Sequence, residues 1–491
     1  MRIRAASAAL AAAAVLVVAR LWAMPLAASL WLDEFGTVWV TDGGPARVVE
    51  RARLFPQSIP YAALVAVVRN AFGSSELVLR MPSLLAMLGA ALLVARLGRA
   101  CFGAETGGLA AGAFLLFPGV EFAAADARPY AFGVLAATAA LVFLKAWLDG
   151  ARAGAAAGYV LAAAAAVYFH YLFAAALLGH AVYAAYRSRR GTPVSIPAMA
   201  AAASALLLLL LPASALVARI AADRRAHEFG ALPGALSLFN ALVPVRVLGL
   251  LLPALLVAAA VRRVRGVDRS PSASDGLVLT LSAAVVPPVA LFAASWALAT
   301  PVFEGRYLLE TAPAWAALLG AALARLEPAG AGQVTLAGAL VLELLLRGDL
   351  GSPRIGHGRE DWREAVAAVG RAAPDGPVLL AGSFAESRDP ALAADPRHQE
   401  YLVEPVRYYA PRAAVAALPL GSSPGSEALA ERLARPALAG ERFAVIERSS
   451  RLGSRVDWVD GIAAPRGFSA RELWRGGPLR VRLYEKSRNP G

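Results

Sequence analysis

With 491 residues, 58% of them hydrophobic and only 17% charged, and a mean hydropathy of +0.56, the chain is too apolar to be a set of ordinary water-soluble domains. A net charge of +13 suits a nucleic-acid surface, an anionic membrane face or a topological signal. The arginines gather in short gaps between apolar runs, as at Arg187, Arg189, Arg190 and at Arg262, Arg263, Arg265, Arg269, without any nucleic-acid motif; topology explains them, and no nucleic-acid partner is expected.

Read with Pro, Gly and charge clusters as punctuation, eleven stretches approach the ~20 apolar residues that a helix needs to cross a bilayer. They fall near 5–24, 82–97, 107–123, 127–147, 156–169, 171–186, 195–217, 243–261, 276–299, 306–323 and 331–347. The predicted fold is a polytopic α-helical membrane protein of about 11 transmembrane helices. Placing Arg2 and Arg4 inside and alternating at each span sends Arg96/Arg99, Lys145/Arg152, Arg187 to Arg190, Arg262 to Arg269 and Arg325 to the cytoplasmic face. The same alternation sends residues 25–81, Asp126 to Arg128, the turn at His170, the loop 218–242, Thr300 to Arg306 and everything after Leu350 outside. Arg2, Arg4, the alanine-rich run and the small residues Ala27-Ala28 also fit a cleaved signal peptide, but an uncleaved anchor suits a multi-span chain better.

Residues 45–72 mix Arg47, Arg51, Arg53 and Arg69 with Val48, Leu54, Tyr61 and Val65, the pattern of helices lying along a membrane surface, and Pro56 and Pro60 divide them in two. Residues 350–491 hold no run long enough to cross. Trp362, Val366, Val369 and then Leu429, Leu433 after Ser426 follow a helical period. Val378 to Leu380, Phe443 to Ile446 and the alternating Leu479, Val481, Leu483 read as strands. The domains expected are therefore 1–349, a transmembrane unit with an outer loop at 25–81, and 350–491, a small α/β extracytoplasmic domain. Cys101 is the only cysteine, so no intramolecular disulfide is available. Lysine is represented by Lys145 and Lys486 alone in an Ala- and Arg-rich chain, a usage associated with GC-rich bacteria; the expected location is a bacterial plasma (inner) membrane, with the N-terminus cytoplasmic.

The predicted topology brings four polar sets to one face: Asp33-Glu34, Asp126 with Arg128 and Tyr130, His170-Tyr171, and Arg306-Tyr307. A carboxylate beside a hydroxyl nucleophile acts as general base, and a cation beside a departing phosphate stabilises its charge, so the set suits group transfer from a phosphate ester. Nucleotide-activated sugars are cytosolic; an outward-facing transferase would draw its sugar from a lipid phosphate, whose tail suits an apolar groove between helices. No phosphate-binding glycine loop is present. No His, Asp or Glu spacing matches a metal-ligand type, so no metal site is predicted, and a divalent-cation requirement stays open.

Ser29-Leu30-Trp31-Leu32-Asp33-Glu34 resembles the first outer loop of the GT-C glycosyltransferases, the group that includes the protein O-mannosyltransferases and the lipid A aminoarabinose transferase. Arg80-Met81-Pro82-Ser83, Asp126-Ala127-Arg128-Pro129-Tyr130, His170-Tyr171 and Arg306-Tyr307-Leu308-Leu309 follow in that group's order, and Asp361-Trp362-Arg363 is similar to bacterial members. The resemblance implies an inverting hexosyl- or pentosyltransferase that uses a polyprenyl-phosphate sugar and passes the sugar to a glycan, lipid or protein acceptor. By position it implies Asp33 as base, Glu34 supporting it, Asp126 assisting, and Arg128 and Arg306 neutralising the lipid phosphate, with Tyr130, Tyr61, His170, Tyr171 and Tyr307 binding substrate. A His-Pro-Pro-x-Tyr-like segment is replaced by Phe55-Pro56-Gln57-Ser58-Ile59-Pro60-Tyr61, which lacks the histidine.

Each of these residues also has a plainer reading. Asp33 and Glu34 suit the first turn of any helix, where the macrodipole favours carboxylates by about 0.3–1 kcal/mol. Asp126 could simply pair with Arg128, His170 could sit satisfied at an interface, and Arg306-Tyr307 could anchor a span end. Asp223, Arg224, Arg225, His227 and Glu228 suit a solvated surface or a lid. A transporter or lipid flippase has the same hydropathy, but it would carry its charges at mid-membrane depth and show related halves; apart from Glu343 the notable charges here lie at span ends. A membrane-anchored sensor leaves eleven spans unexplained.

Overall fold

The computed structural model describes residues 2–54, 57–222, 231–264, 275–347, 360–421, 423–449 and 453–487. Residues 223–230, which carry the predicted loop charges Asp223, Arg224, Arg225, His227 and Glu228, lie outside that set, as do Phe55, Pro56, Arg265, Arg269 and Leu350.

Six described helices are long and apolar enough to cross a membrane: Arg4–Ala27, Glu76–Phe102, Tyr130–Gly150, Ile196–Ala215, Asp275–Ala297 and Gly305–Ala324. Two bent pairs raise the number to eight if each is one span. This is fewer than the eleven expected, and proline and length account for the difference. The stretch 107–123 divides into Thr106–Phe114 and Pro118–Ala124, bent by 74°, because Pro118 forces Phe117 into an extended conformation. Pro244 similarly separates Ala235–Leu242 from Val245–Val264, where the bend is 50°. Ala153–Phe169 and Ala331–Leu346 are apolar but run only about 25 Å, short of the ~30 Å hydrocarbon core. The stretch predicted at 171–186 starts as a tight turn, Tyr171–Ala174, and becomes helical only at Ala175–Arg190.

The bundle has two unlike ends. At one, Arg187 pairs with Asp149 and with Asp275 at 3.3 Å, and Lys145 meets Asp149 at 2.7 Å, so three helix ends are tied together by charge. At the other end lie the chain segments that carry Asp33, Asp126, His170 and Arg306. Alanine and glycine permit the close approach of helices between them. A Cβ at Gly320 would come within 2.6 Å of the Ala110 backbone, and one at Gly276 within 2.4 Å of the Cys101 carbonyl.

The C-terminal domain holds a five-stranded mixed sheet: β1 (Val378–Ala381), β2 (Val415–Ala417), β3 (Arg442–Arg448), β4 (Phe468–Gly476) and β5 (Leu479–Lys486), in the order β2-β1-β3-β5-β4. β1 lies parallel to β2 and β3, whereas β5 runs antiparallel to β3 and β4. The alternation along the strands divides two cores. Leu379, Phe443, Val445 and Tyr484 pack under the helices Pro424–Ala439 and Val456–Ala463. Val378, Leu380, Ile446, Leu479 and Val481 face the other way, into a core completed by the helix Trp362–Ala372 and by Leu30, Phe35, Val38, Tyr61 and Val65 from the segment 25–81.

That segment therefore shares its hydrophobic core with the C-terminal domain. It contains the helix Leu32–Thr41 and the two helices expected around the prolines, Pro45–Leu54 and Ile59–Phe72. Polar bonds fasten it as well. Glu360 accepts from Leu32 N at 3.0 Å and from Arg448, the Tyr409 hydroxyl accepts from Leu30 N at 3.1 Å, and Arg363 N donates to Ser29 Oγ at 3.2 Å. The backbone leading to Asp33 is thus clamped by residues more than 300 positions later in the chain.

Candidate active site

The arrangement starts at the first turn of Leu32–Thr41. Trp31 is extended before it, and Glu34 reaches back to accept from Trp31 N at 3.0 Å, the way a glutamate in the third helical position closes a helix start. Glu34 does more than cap. It accepts from Arg80 Nε at 2.7 Å and again from Nη2, and from Ala127 N at 2.7 Å. Both side chains of this pair are wholly buried. Arg80 spends its remaining protons on the carbonyls of Pro25, Leu26, Ala28 and Ser29. A buried ion pair offsets its desolvation cost only when its other hydrogen-bonding sites are satisfied, and here they are.

Consecutive helical residues point about 100° apart, so burying Glu34 turns its neighbour Asp33 another way. The Asp33 side chain is 29% exposed, and its Oδ2 accepts from Arg306 Nη1 at 2.9 Å, across 273 residues of sequence. Arg306 also donates to the Tyr307 hydroxyl at 3.3 Å and lies 5.2 Å from the centre of that ring. Arg128 approaches from a third segment: its Nη1 donates to the Asp33 carbonyl at 3.2 Å. With its amide turned to satisfy the network, Gln57 accepts from the same Arg128 nitrogen at 2.8 Å and from Thr37 N at 3.3 Å.

Asp126 is fully buried and takes its hydrogen bond from Trp31 Nε1, at 3.0 Å, rather than from Arg128. Its other oxygen has no partner among the described residues. Burial, reinforced by the nearby Glu34 carboxylate, pushes the Asp126 carboxyl well above the usual range; the Trp31 bond, Arg128 and Arg80 act against this. A carboxyl whose charged form is disfavoured by burial is suited to accept from Trp31 and hold that ring in place. Of the three carboxyl groups, only Asp33 combines exposure with cationic neighbours.

His170 lies in the turn between Ala153–Phe169 and Tyr171–Ala174, surrounded by rings: Tyr307 at 4.9 Å, Phe173 at 5.1 Å, Tyr130 at 5.2 Å and Tyr171 at 5.4 Å, the last stacked within 11°. Burial, with Arg306 and Arg128 nearby, pushes its imidazole down to about 3. An unfolded histidine takes up a proton below about pH 6.5. Folded His170 does not until about pH 3, so stability falls as pH drops through that window. His170→Phe is expected to flatten the fall in thermal midpoint between pH 6.5 and 4.5. Equal slopes in the two proteins would show that His170 protonates freely in the fold.

The structure thus brings together Asp33, Asp126, Arg128, Tyr130, His170, Tyr171, Arg306 and Tyr307, with Glu34 as a buried anchor behind Asp33. Tyr61 is placed differently from its expected substrate-binding position. It is fully buried in the core shared with the C-terminal domain, 5.8 Å from the Phe132 ring, and burial pushes its hydroxyl above the usual range. Sequence reasoning missed Trp31 and Gln57 as partners and did not recognise Arg80 as the mate of Glu34. The signal for Gln57 was its place in the proline–tyrosine segment, where it stands beside Arg128. Among the described residues no group of three or more His, Cys, Asp or Glu side chains could hold a metal ion.

No family model matches the chain, and no curated protein matches it. Solved structures do. The crystal structure of ArnT from Cupriavidus metallidurans bound to undecaprenyl phosphate superposes with a TM-score of 0.56 at 13% identity, covering 96% of this chain and 97% of that one. The apo structure of the same protein gives 0.50 at 15% identity over the same shares. The oligosaccharyltransferase of Archaeoglobus fulgidus, tethered with an acceptor peptide, matches more loosely, at 0.47 and 14% identity over 90% of this chain and 68% of that one. ArnT and the oligosaccharyltransferase are GT-C glycosyltransferases, and the likeness to ArnT, along nearly the whole of both chains, gives this chain the GT-C fold.

Proposed function

We propose that this multi-pass membrane protein is an inverting glycosyltransferase that moves a sugar from a polyprenyl-phosphate carrier to an acceptor hydroxyl at the outer face of the membrane. The observation that carries this reading is the ion pair between Asp33 and Arg306, a partly exposed carboxylate and a cation held at 2.9 Å with Arg128 beside them. Base and phosphate-binding cations are the two requirements of the reaction, and here they are adjacent.

In the resting site Arg306 occupies the carboxylate. A donor phosphate competes for Arg306 and Arg128 and releases Asp33. The acceptor hydroxyl then gives its proton to Asp33 while its oxygen bonds to the anomeric carbon. The bond from that carbon to the phosphate oxygen breaks from the opposite side, inverting the centre, and the electron pair leaves with the lipid phosphate, where Arg306 and Arg128 meet the added charge. Glu34 and Arg80 set the direction of Asp33, and Trp31 with Asp126 fixes the wall beside it. The ring cage of Tyr130, Tyr171 and Tyr307 around neutral His170 offers apolar faces for the sugar. The side of the membrane rests on the arginine distribution, with the segment 25–81 and the C-terminal domain 350–491 outside.

The fold of ArnT, crystallised with undecaprenyl phosphate, supports a lipid-linked donor. The test is incubation of the detergent-purified protein with a panel of polyprenyl-phosphate hexoses and pentoses and a cell-envelope extract as acceptor, reading released polyprenyl phosphate. Release from at least one donor is expected. Absence of turnover with every donor sinks the reading.

A further inference from the structure

A second concavity, of about 620 Å³, opens between the segment 25–81 and the C-terminal domain, and neither Asp33 nor Arg306 lines it. That volume is within the ~300–1,000 Å³ usual for sites that hold a small molecule. Trp39 and Asp42 contribute from the end of Leu32–Thr41, the helix whose first turn carries Asp33. Asp33 and Trp39 are separated by about 9 Å along the helix axis.

The charges of this cleft answer one another. Asp42 meets Arg69 at 3.0 Å and Arg51 at 3.5 Å, and Arg363 pairs with Glu76. Guanidiniums already matched by carboxylates are a poor trap for an anion, but they present many donors and acceptors to hydroxyl groups. Glu400, Glu404 and Arg407 also line the cleft without an ion pair among the described residues, and the lining as a whole sets Asp42, Glu76, Glu400 and Glu404 against Arg51, Arg69, Arg363 and Arg407. Glu404 is only 8% exposed, and its carboxyl makes no hydrogen bond among the described residues either. Because it lines the cleft and has no such partner, this carboxyl is free to hydrogen-bond a ligand that enters. Burial, with Asp42 nearby, pushes Glu404 up to about 8, against Arg407, Arg69 and Arg51. A neutral carboxyl offers one donor and one acceptor, the pair a sugar hydroxyl complements. Tyr408 adds an aromatic wall, its hydroxyl tied to Ser74 O at 2.5 Å and its ring set against Phe35 and Tyr409.

We infer that this cleft binds a neutral, hydroxyl-rich ligand through Glu404, Tyr408 and the paired charges around Asp42. Resting on the transferase reading, that ligand is the carbohydrate part of the acceptor. The helix Leu32–Thr41 then links recognition to chemistry: an extended acceptor, held by one sugar near Trp39, presents a hydroxyl further along to Asp33.

The experiment titrates neutral di- to tetrasaccharides of glucose, mannose, galactose and N-acetylglucosamine into the full-length protein in detergent without donor, read by saturation-transfer NMR and calorimetry. At least one saccharide is expected to bind, and to bind about tenfold or more weakly to Glu404→Ala and Tyr408→Ala. Should Glu404→Ala fail to fold, Arg407→Ala, on an exposed lining residue, carries the same comparison. Binding of none, equal binding by the folded variants, or displacement of the saccharide by inorganic phosphate overturns the inference. Saccharide binding without transfer from any donor overturns the transferase reading and spares the cleft; transfer without saccharide binding does the reverse.

Discussion

Asp33→Asn is expected to lower sugar transfer by about 10²–10⁴-fold, the usual contribution of a positioned general base, while leaving the fold intact. The amide keeps the shape of the side chain and loses its basicity. Its ion pair with Arg306 is partly exposed on both sides, 31% and 29%, so breaking it costs only about 0–1 kcal/mol. Released polyprenyl phosphate and the thermal midpoint in detergent should therefore separate, the first collapsing and the second nearly unchanged. Full activity in a folded Asp33→Asn protein would remove Asp33 from the mechanism and point to water or another group as base.

Glu34→Ala is expected to do the opposite. It strands the Arg80 guanidinium with no counter-charge in a fully buried place, a change that costs about 3–5 kcal/mol. It also leaves Ala127 N and Trp31 N without their acceptor. The apparent thermal midpoint should drop by many degrees, and activity should follow stability rather than fall alone. Replacing both partners together should not restore the wild-type midpoint, because Arg80 also serves the carbonyls of Pro25, Leu26, Ala28 and Ser29. A double-mutant cycle in detergent measures that coupling. A near-neutral Glu34→Ala would mean that the segment is held by the C-terminal domain alone.

These two neighbours show how far a sequence can be read. An acidic pair after an apolar run is visible in the sequence, but the burial of one and the exposure of the other depend on where Arg80 and Ala127 stand. Neither contact is encoded locally. Gln57 was legible only as a missing histidine; its proximity to Arg128 required the loop to close on the start of Tyr130–Gly150. The resemblance of its proline–tyrosine segment implied that Tyr61 touches substrate, yet an aromatic ring on an amphipathic helix has a stronger claim to a nearby core, and there it packs. In the C-terminal domain the strands with clear alternation or apolar runs, β1, β3 and β5, were recognisable. β2, only three residues long, and the polar, bulged edge strand β4 carry weak patterns and exist because neighbours offer them hydrogen bonds.

The sequence by itself determined that the chain lives in a membrane, that its arginines cluster in the gaps between spans, and that four short polar motifs recur between apolar runs. These are properties of composition and period, which the bilayer reads one helix at a time. Only the tertiary structure decided how many helices are long enough to cross, that the segment 25–81 and the C-terminal domain build one core, and that Asp33 meets Arg306 while Glu34 is buried against Arg80. Those outcomes depend on groups hundreds of residues apart arriving at the same place, where one carboxylate is buried against its cation and its neighbour stays partly exposed.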